Sequence, residues 1–162
     1  MNILLVRVDD RFIHGQILES WIPFLKAQSV VVANDALASD HFQKTIMSMA
    51  IPDRITLRIV TLDEVTCLVQ DRDLDDMRTL VIVSSIRDAH ALYSKGFHFL
   101  KLNLGNNKGT QSSQQVSYSV WVDKDDVLML KELMDSGVDV SLQSVPRERL
   151  IDMKSLIGTV MS

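Results

Sequence analysis

Cysteine is almost absent from this chain. Its 162 residues include only Cys67, so no disulfide can form within the chain. Proteins without disulfides are typical of reducing compartments, and we expect this one in the cytoplasm. Cys67 lies in a helix-like run without a basic neighbour that would make its thiol reactive. We therefore expect it to be a buried structural residue.

Long apolar runs are missing as well. No stretch approaches the roughly 20 residues that a membrane-spanning helix needs. The first residues lack the basic flank and the cleavage site of a signal peptide. The formal net charge of −4 gives no general attraction to nucleic acid or to an anionic membrane surface. We expect no nucleic-acid partner.

Nucleotide-binding and metal-binding patterns are also lacking. The sequence contains no Gly-x-Gly-x-x-Gly, no Gly-x-x-x-x-Gly-Lys and no Gly-x-Ser-x-Gly. His41, His90 and His98 have no second ligand at metal-binding spacing, which favours surface or packing roles. The acidic segment 71–78 lacks the glycine and the spaced ligands of a calcium loop. We expect neither a metal nor another cofactor.

The chain does contain a regular alternation of strand-like and helix-like segments. The strand-like runs cover residues 3–8, 29–33, 55–60, 79–83, 99–104, 118–122 and 138–143. We expect the sixth run to continue the sheet, the seventh to form its edge, and a last helix to start near Pro146. This alternation predicts one domain over residues 1–162. Its fold class is α/β, a doubly wound and mainly parallel sheet of about seven strands with helices on both faces.

Residues 9–16, which follow the first strand, carry the most chemistry. In an open α/β sheet, ligands gather where strands end. His14 stands just before a helix start, whose N–H groups and partial positive charge suit a phosphate. Arg11 could reach the same anion, and Gly15 has no Cβ to crowd an incoming group.

Two acidic residues precede this histidine, and the sequence does not choose between them. Either Asp10 or Asp9 could hold the imidazole tautomer or orient Arg11. Because histidine can itself be a nucleophile, the loop fits phosphoryl transfer through a phosphohistidine. The alternative is a loop histidine that only hydrogen-bonds locally. The residues alone leave both interpretations open.

A family resemblance favours the first interpretation. The stretch Val-Asp-Asp-Arg-Phe-Ile-His-Gly-Gln at 8–16, with Trp21, closely resembles the start of the IIB components of the mannose/fructose/sorbose family. That family belongs to the phosphoenolpyruvate-dependent sugar phosphotransferase system. The resemblance continues in Val-Ala-Asn-Asp at 32–35 with Ala38, in Lys44, and in the helix from Asp123 to Gly137.

The resemblance implies a function and a set of site residues. His14 would be phosphorylated on Nδ1 by a IIA phosphohistidine and would pass the group to a sugar brought in by the membrane components IIC and IID. Arg11 would stabilise the phosphate with Asp10 as its neighbouring carboxylate. Such a protein is a protein-Nπ-phosphohistidine–sugar phosphotransferase, peripheral to a membrane permease. Further candidates, listed by position, are Gly15 and Gln16 as phosphate ligands and Asn34, Asp35, Ser84 and Asn106 as second walls.

One loop departs from the family pattern. Members usually have paired glycines after the fifth strand, whereas this chain has Gly105-Asn106 and a polar run to Gln115 with Lys108 as its only basic residue. A polar loop of this length is more often functional or mobile than idle. An alternative function is therefore a regulatory phosphorelay or binding protein without a dedicated sugar. The sequence also leaves a homo-oligomer open.

Overall fold

The computed structural model describes residues 1–160, which contain a seven-stranded sheet and a separate two-stranded hairpin. The strands are β1 Asn2–Asp9, β2 Ser29–Ala33, β3 Thr56–Val60, β4 Arg78–Val83, β5 Lys101–Asn106, β6 Gln114–Ser117, β7 Val120–Val122, β8 Asp139–Leu142 and β9 Ile151–Asp152. The order in the large sheet is β3-β2-β4-β1-β5-β8-β9. All pairs are parallel except that of β9 with β8.

Seven α-helices connect these strands in the described part of the chain. They are α1 Ile22–Leu25, α2 Asp35–Ala38, α3 His41–Ala50, α4 Leu62–Val65, α5 Ile86–Ser94, α6 Lys124–Asp135 and α7 Met153–Val160. A π-helical turn, Ile17–Trp21, leads directly into α1. Over residues 1–160, no helix has both the length and the apolar character that crossing a membrane requires.

Two hydrophobic cores lie on opposite faces of the sheet. Val6 and Val8 of β1 face one core, which α5, α6 and α7 cover. Leu5 faces the other core together with Trp21 and with residues of α3. Successive residues of a strand point to opposite faces, so the apolar run of β1 supplies both cores. The predicted doubly wound α/β fold is confirmed.

Local capping chemistry matches the sequence closely. Asp40 caps α3 by accepting a hydrogen bond from the Gln43 N–H at 3.0 Å. Thr61 and Glu64, three residues apart, form a capping box at the start of α4. Asp123 caps α6, which ends before Gly137 at a φ of +95°. These ends depend on residues only three or four positions apart, which is why the sequence predicts them well.

The C-terminal third differs from the prediction in three places. Residues 118–122 do not continue the large sheet, because the chain turns at 118–119 and β7 pairs with β6 as a hairpin. The strand β8 is not an edge, because β9 pairs with its far side. The last helix does not start near Pro146. It begins at Met153, where the Asp152 side chain accepts the Lys154 N–H at 3.0 Å.

The prediction for Cys67 is also wrong, since its side chain is exposed. Helix α4 ends at Val65, and the chain continues as a 3₁₀ turn, Thr66–Gln70. With three residues per turn, Val65 and Leu68 share the inner face. Both pack on the core, and Cys67 is left on the outside.

The topology places the carboxyl ends of four strands at one edge of the sheet. The central strand β1 lies between β4 and β5, and β2 is the next strand beyond β4. Asp9 ends β1 opposite Asn106 of β5, while Ser84 and Asn34 follow β4 and β2. The loop that carries His14 therefore leaves the middle of the sheet, where open α/β folds form their binding crevice.

Gly105 should be needed for the interior beneath this crevice. A Cβ at that position would overlap the guanidinium of Arg7, which is fully buried. We expect Gly105→Ala to lower the free energy of unfolding by about 1–3 kcal/mol, the usual cost of overpacking. Urea denaturation measures this change. The control is Gly158→Ala in α7, where an added Cβ meets no atom within 4 Å. Equal stability of the two variants would contradict the prediction.

Candidate phosphohistidine site

The loop after β1 makes one tight turn and then starts a helix. The Phe12 N–H donates to the Asp9 carbonyl at 3.1 Å, and Phe12 has a φ of +59°, unusual for a side chain of its size. Such backbone strain is common at functional sites. The Leu18 N–H then donates to the His14 carbonyl at 3.0 Å. Since this is the first helical bond, the N–H groups of residues 15–17 have no intrahelical acceptor.

The Asp9 carboxylate is the hub of the site. It is completely buried and lies 2.9 Å from Nε2 of His14. Arg11 donates to it through the backbone N–H at 3.2 Å, through Nε at 3.0 Å and through Nη2 at 3.2 Å. From the interior, Arg7 donates through Nε at 3.3 Å and Nη2 at 3.2 Å. Three side chains are thus oriented by one acid.

The charge of Asp9 fixes the tautomer of the histidine. Burial raises the pKa of Asp9, but the hydrogen bonds of His14 and Arg11 and the charge of Arg7 outweigh it and lower that pKa from 3.8 to about 2. The carboxylate is therefore ionised at neutral pH and can only accept hydrogen bonds. Nε2 of neutral His14 must then carry the proton. Nδ1 keeps the lone pair and is the ring nitrogen that can attack an electrophile.

Arg7 holds Asp9 from below and was missed by the sequence analysis. Its guanidinium donates to the Asn103 side chain and, at 2.9 Å each, to the carbonyls of Gln143 and Ser144. It also lies 4.7 Å from the ring centroid of Trp21. Burial lowers the pKa of Arg7 from 12.5 to about 10, so Arg7 is still a cation at neutral pH. The one feature of the sequence that could have indicated this role is the charge of Arg7, which stands between Val6 and Val8 in an otherwise apolar strand.

The predicted phosphate ligands lie at the mouth of the site. The Arg11 side chain is 41% exposed and also donates from Nη2 to Oε1 of Gln16 at 3.1 Å. Within residues 1–160, its Nη1 makes no hydrogen bond and is available to an anion. At Gly15 an added Cβ would meet open space. Internal packing therefore does not require glycine there, and the roles of Gly15 and Gln16 as ligands stay predictions.

Asp10 is not the carboxylate that contacts Arg11 in the structure. Asp9 lies two residues after Arg7 and so points to the same face of β1, whereas Asp10 belongs to the turn. The Asp10 carboxylate instead accepts a hydrogen bond from the Asn106 side chain and lies 3.4 Å from Nζ of Lys108. Asn106, one of the predicted second walls, is therefore joined to the loop of His14 through Asp10.

The other second-wall candidates lie along the same edge but bond to one another or to neighbouring helices rather than to the active loop. Asn34 caps α2 and donates to Oγ of Ser84 at 3.4 Å. Ser84 donates to Asp88 at 2.7 Å, and Asp35 accepts the Leu62 N–H at 2.9 Å. The structure describes no hydrogen bond from these residues to His14 or Arg11. Their place in the site stays a prediction.

Comparison with known protein families decides the relationship. The family model described as PTS system sorbose subfamily IIB component matches residues 3–161. The chain belongs to this family. It is thus related to the IIB phosphocarrier components of sugar phosphotransferase systems, as the stretch around His14 indicated.

Individual relatives cover nearly the whole chain. The N-acetylgalactosamine-specific phosphotransferase enzyme IIB component 2 of Escherichia coli K12 is 33% identical over 156 residues, 96% of this chain and 99% of that protein. The fructose-specific EIIB component of Bacillus subtilis 168 is 28% identical over 99% of this chain and 98% of the relative. Both sequences align with this IIB chain almost end to end.

A solved structure supports the fold independently. The IIB domain of the sorbose permease from Klebsiella pneumoniae superposes with a TM-score of 0.89 at 24% identity and covers 98% of each chain. Identity at this level speaks for the architecture alone. It supports the α/β architecture described above.

The electrostatics of Asp9 lead to a prediction about stability and pH. Its pKa is lower in the folded chain, about 2, than the ordinary 3.8. The stabilisation by its charge is therefore present above about pH 4 and is lost as the pH falls toward 2. We expect Asp9→Asn to be less stable than the parent at pH 7 by about 3–5 kcal/mol, because Arg7 loses its buried partner.

Urea denaturation at several pH values tests this expectation. The stability difference between the parent and Asp9→Asn should shrink between pH 4 and pH 2, because the parent then loses the same charge. Asp53→Asn, at an exposed turn position, serves as the control and should leave stability unchanged at pH 7. A difference between the parent and Asp9→Asn that is constant with pH would contradict the assignment.

Proposed function

We propose that this IIB chain is a phosphocarrier whose Nδ1 of His14 accepts a phosphoryl group from a IIA phosphohistidine. It then transfers the group to a sugar hydroxyl at a permease formed by IIC and IID. The observation that carries this proposal is the 2.9 Å contact between Nε2 of His14 and the buried Asp9 carboxylate. That contact leaves Nδ1 as the nucleophile at the carboxyl edge of the sheet. The activity is that of a protein-Nπ-phosphohistidine–sugar phosphotransferase.

The first step exchanges one phosphorus–nitrogen bond for another. The lone pair of Nδ1 attacks phosphorus while the bond from phosphorus to the donor imidazole breaks, and its electron pair stays on the donor ring. The His14 ring becomes positively charged because Nε2 keeps its proton. The Asp9 carboxylate stabilises that charge through the existing hydrogen bond. No proton has to move on His14.

Arg11 and the helix start supply the stabilisation of the moving group. Phosphoryl transfer depends mainly on positioning and on donors for the three equatorial oxygens. Nη1 of Arg11 is available, and Asp9 holds the rest of that guanidinium in place. The N–H groups of residues 15–17 add donors from the backbone. An imidazole, a guanidinium and a helix N-terminus supply these roles without a metal or another cofactor.

The second step returns the site to its starting state. A sugar hydroxyl oxygen attacks phosphorus, the bond from phosphorus to Nδ1 breaks, and the electron pair returns to the imidazole ring. The hydroxyl proton leaves to solvent. Because the phosphohistidine ring is cationic, the neutral His14 imidazole is a good leaving group, and a neutral alcohol suffices as acceptor. We propose that this step takes place in the cytoplasm, at the inner face of the permease.

The curated relatives support a sugar as the acceptor but differ in which one. Their names specify N-acetylgalactosamine, fructose, sorbose and mannose. We therefore propose the class of acceptor, a carbohydrate alcohol, and attribute the choice among sugars to the permease.

Replacement of the histidine tests the central claim. We expect His14→Ala to accept no radiolabelled phosphate from phosphorylated IIA, because the nucleophile is gone. The matched control is His90→Ala, which removes a partly exposed histidine paired with Glu132 and should be labelled like the parent. The label on the parent should be acid-labile, as a phosphorus–nitrogen bond is. Normal labelling of His14→Ala would refute the proposal.

Replacement of Arg11 tests the stabilising cation. We expect Arg11→Ala to slow transfer by about 10²–10³, the usual loss for one transition-state donor. Arg11→Lys should fall in between, because a lysine keeps the charge but not the planar fork. Rapid-quench measurement of the transfer rate and thermal unfolding of each variant separate chemistry from folding. Arg54→Ala, at an exposed position, is the control. An unchanged rate in Arg11→Ala would remove Arg11 from the site.

A further inference from the structure

The polar loop after β5 and the β6–β7 hairpin form a second surface beside the His14 site. We call it the hairpin rim and define it as residues 106–110 and 118–121. It is joined to the active loop through Asp10, which binds the Asn106 side chain and lies 3.4 Å from Nζ of Lys108. The proposed chemistry uses none of these residues, so their close connection to the loop needs another explanation.

The hairpin rim is held in one shape by its own backbone and side chains. Asn107 is buried, and its N–H donates to the Ser119 carbonyl at 3.0 Å. The Asn107 side chain donates to the Trp121 carbonyl at 2.6 Å, and the Trp121 N–H donates back to Asn107 at 3.0 Å. A Cβ at Gly109 would collide with Trp121. A surface held this firmly loses little conformational freedom when a partner binds.

The outer side of the hairpin rim has the chemistry of a protein-binding site. Tyr118 stands at the hairpin turn with 93% of its surface exposed, and Trp121 is 38% exposed. Between the two segments runs an open groove of about 620 Å³ that Lys108, Thr110, Tyr118 and Trp121 help to line. Tyrosine and tryptophan are the residues that most often dominate binding energy at protein interfaces.

The distribution of charge around the hairpin rim indicates which partner binds there. The chain as a whole carries a formal charge of −4. At the site and its rim, however, the exposed cations Arg11 and Lys108 stand against the one partly exposed carboxylate of Asp10, because Arg7 and Asp9 are both buried and paired with each other. The phosphorylated donor brings its negative charge to this locally positive surface. The sugar acceptor is uncharged, and in its step the phosphoryl group already sits on the site. Complementarity therefore favours the donor.

We propose that the hairpin rim is the docking surface for the phosphorylated IIA donor, with Tyr118 as its apolar anchor and Lys108 as its charge contact. This inference rests on the proposed function of His14. Asp10 then has a positioning role, because it holds Lys108 and Asn106 against the loop that carries the nucleophile. The polar loop marked by the sequence analysis thus serves recognition.

A comparison of two phosphoryl donors tests the surface. One donor is the phosphorylated IIA protein, and the other is phosphoramidate, which phosphorylates histidine without a protein partner. We expect Tyr118→Ala to raise the KM for phosphorylated IIA about tenfold or more. Its kcat and its rate with phosphoramidate should match the parent. The control is Leu100→Ala, whose exposed side chain precedes β5 at the opposite edge of the sheet and should leave KM unchanged.

Lys108 gives a second and independent readout. We expect Lys108→Gln to raise the same KM and to weaken its dependence on salt, because one attractive charge is lost. A KM of Tyr118→Ala within twofold of the parent would overturn the docking surface. So would a defect confined to sugar phosphorylation in vesicles that contain IIC and IID, because the rim would then belong to the permease.

Failure of the docking surface and failure of the proposed function give different results. If the parent accepts phosphate from IIA on His14 and Tyr118→Ala does so with the same KM, only the docking surface is wrong. If the parent accepts no phosphate from IIA, the function of His14 and the inference that depends on it are both overturned.

Discussion

The ion pair between Arg7 and Asp9 is the constraint on which the site depends. Both side chains are fully buried, and Asp9 turns its two oxygens toward the guanidinium behind it and toward His14 and Arg11 in front. Stability alone does not account for this pair. Burial lowers the pKa of Arg7 despite its partner, so its charge is held less favourably in the folded chain than in the unfolded one. What the pair provides is a fixed carboxylate at the end of a rigid central strand.

Much of the surrounding structure accommodates this arginine. Gly105 leaves the volume that the guanidinium fills, Trp21 covers it, and the carbonyls of Gln143 and Ser144 accept its remaining protons. These groups come from three separate parts of the chain. The site therefore forms only when the sheet, the first helix and the segment after β8 have packed together. The geometry of the site therefore depends on the whole fold and not only on residues 8–16, the stretch that identifies the site in the sequence.

The sequence predicted what depends on near neighbours. The alternation of strands and helices is a local signal, and the structure confirms it; the caps at Asp40, Thr61 and Asp123 likewise depend on residues only three positions away. The choice of Asp9 over Asp10 was beyond the sequence, since it depends on what lies behind β1. The hairpin was missed because the turn at 118–119 sits inside a run with strand-like residues. Arg7 was missed because one charge in an apolar run does not reveal a partner about 100 residues away.

The fixed orientation of the His14 ring has a consequence for the order in which the phosphoryl donor and acceptor bind. Its ring is anchored at Nε2, so Nδ1 always faces the same side, over the same loop and helix start. Under the proposed function, donor and acceptor would therefore use a single opening and could not occupy it together. One partner would have to dissociate before the other binds, and a high concentration of the unphosphorylated donor would competitively inhibit transfer to the acceptor. The throughput of the carrier is then governed by how quickly each encounter ends, so loose binding is an advantage.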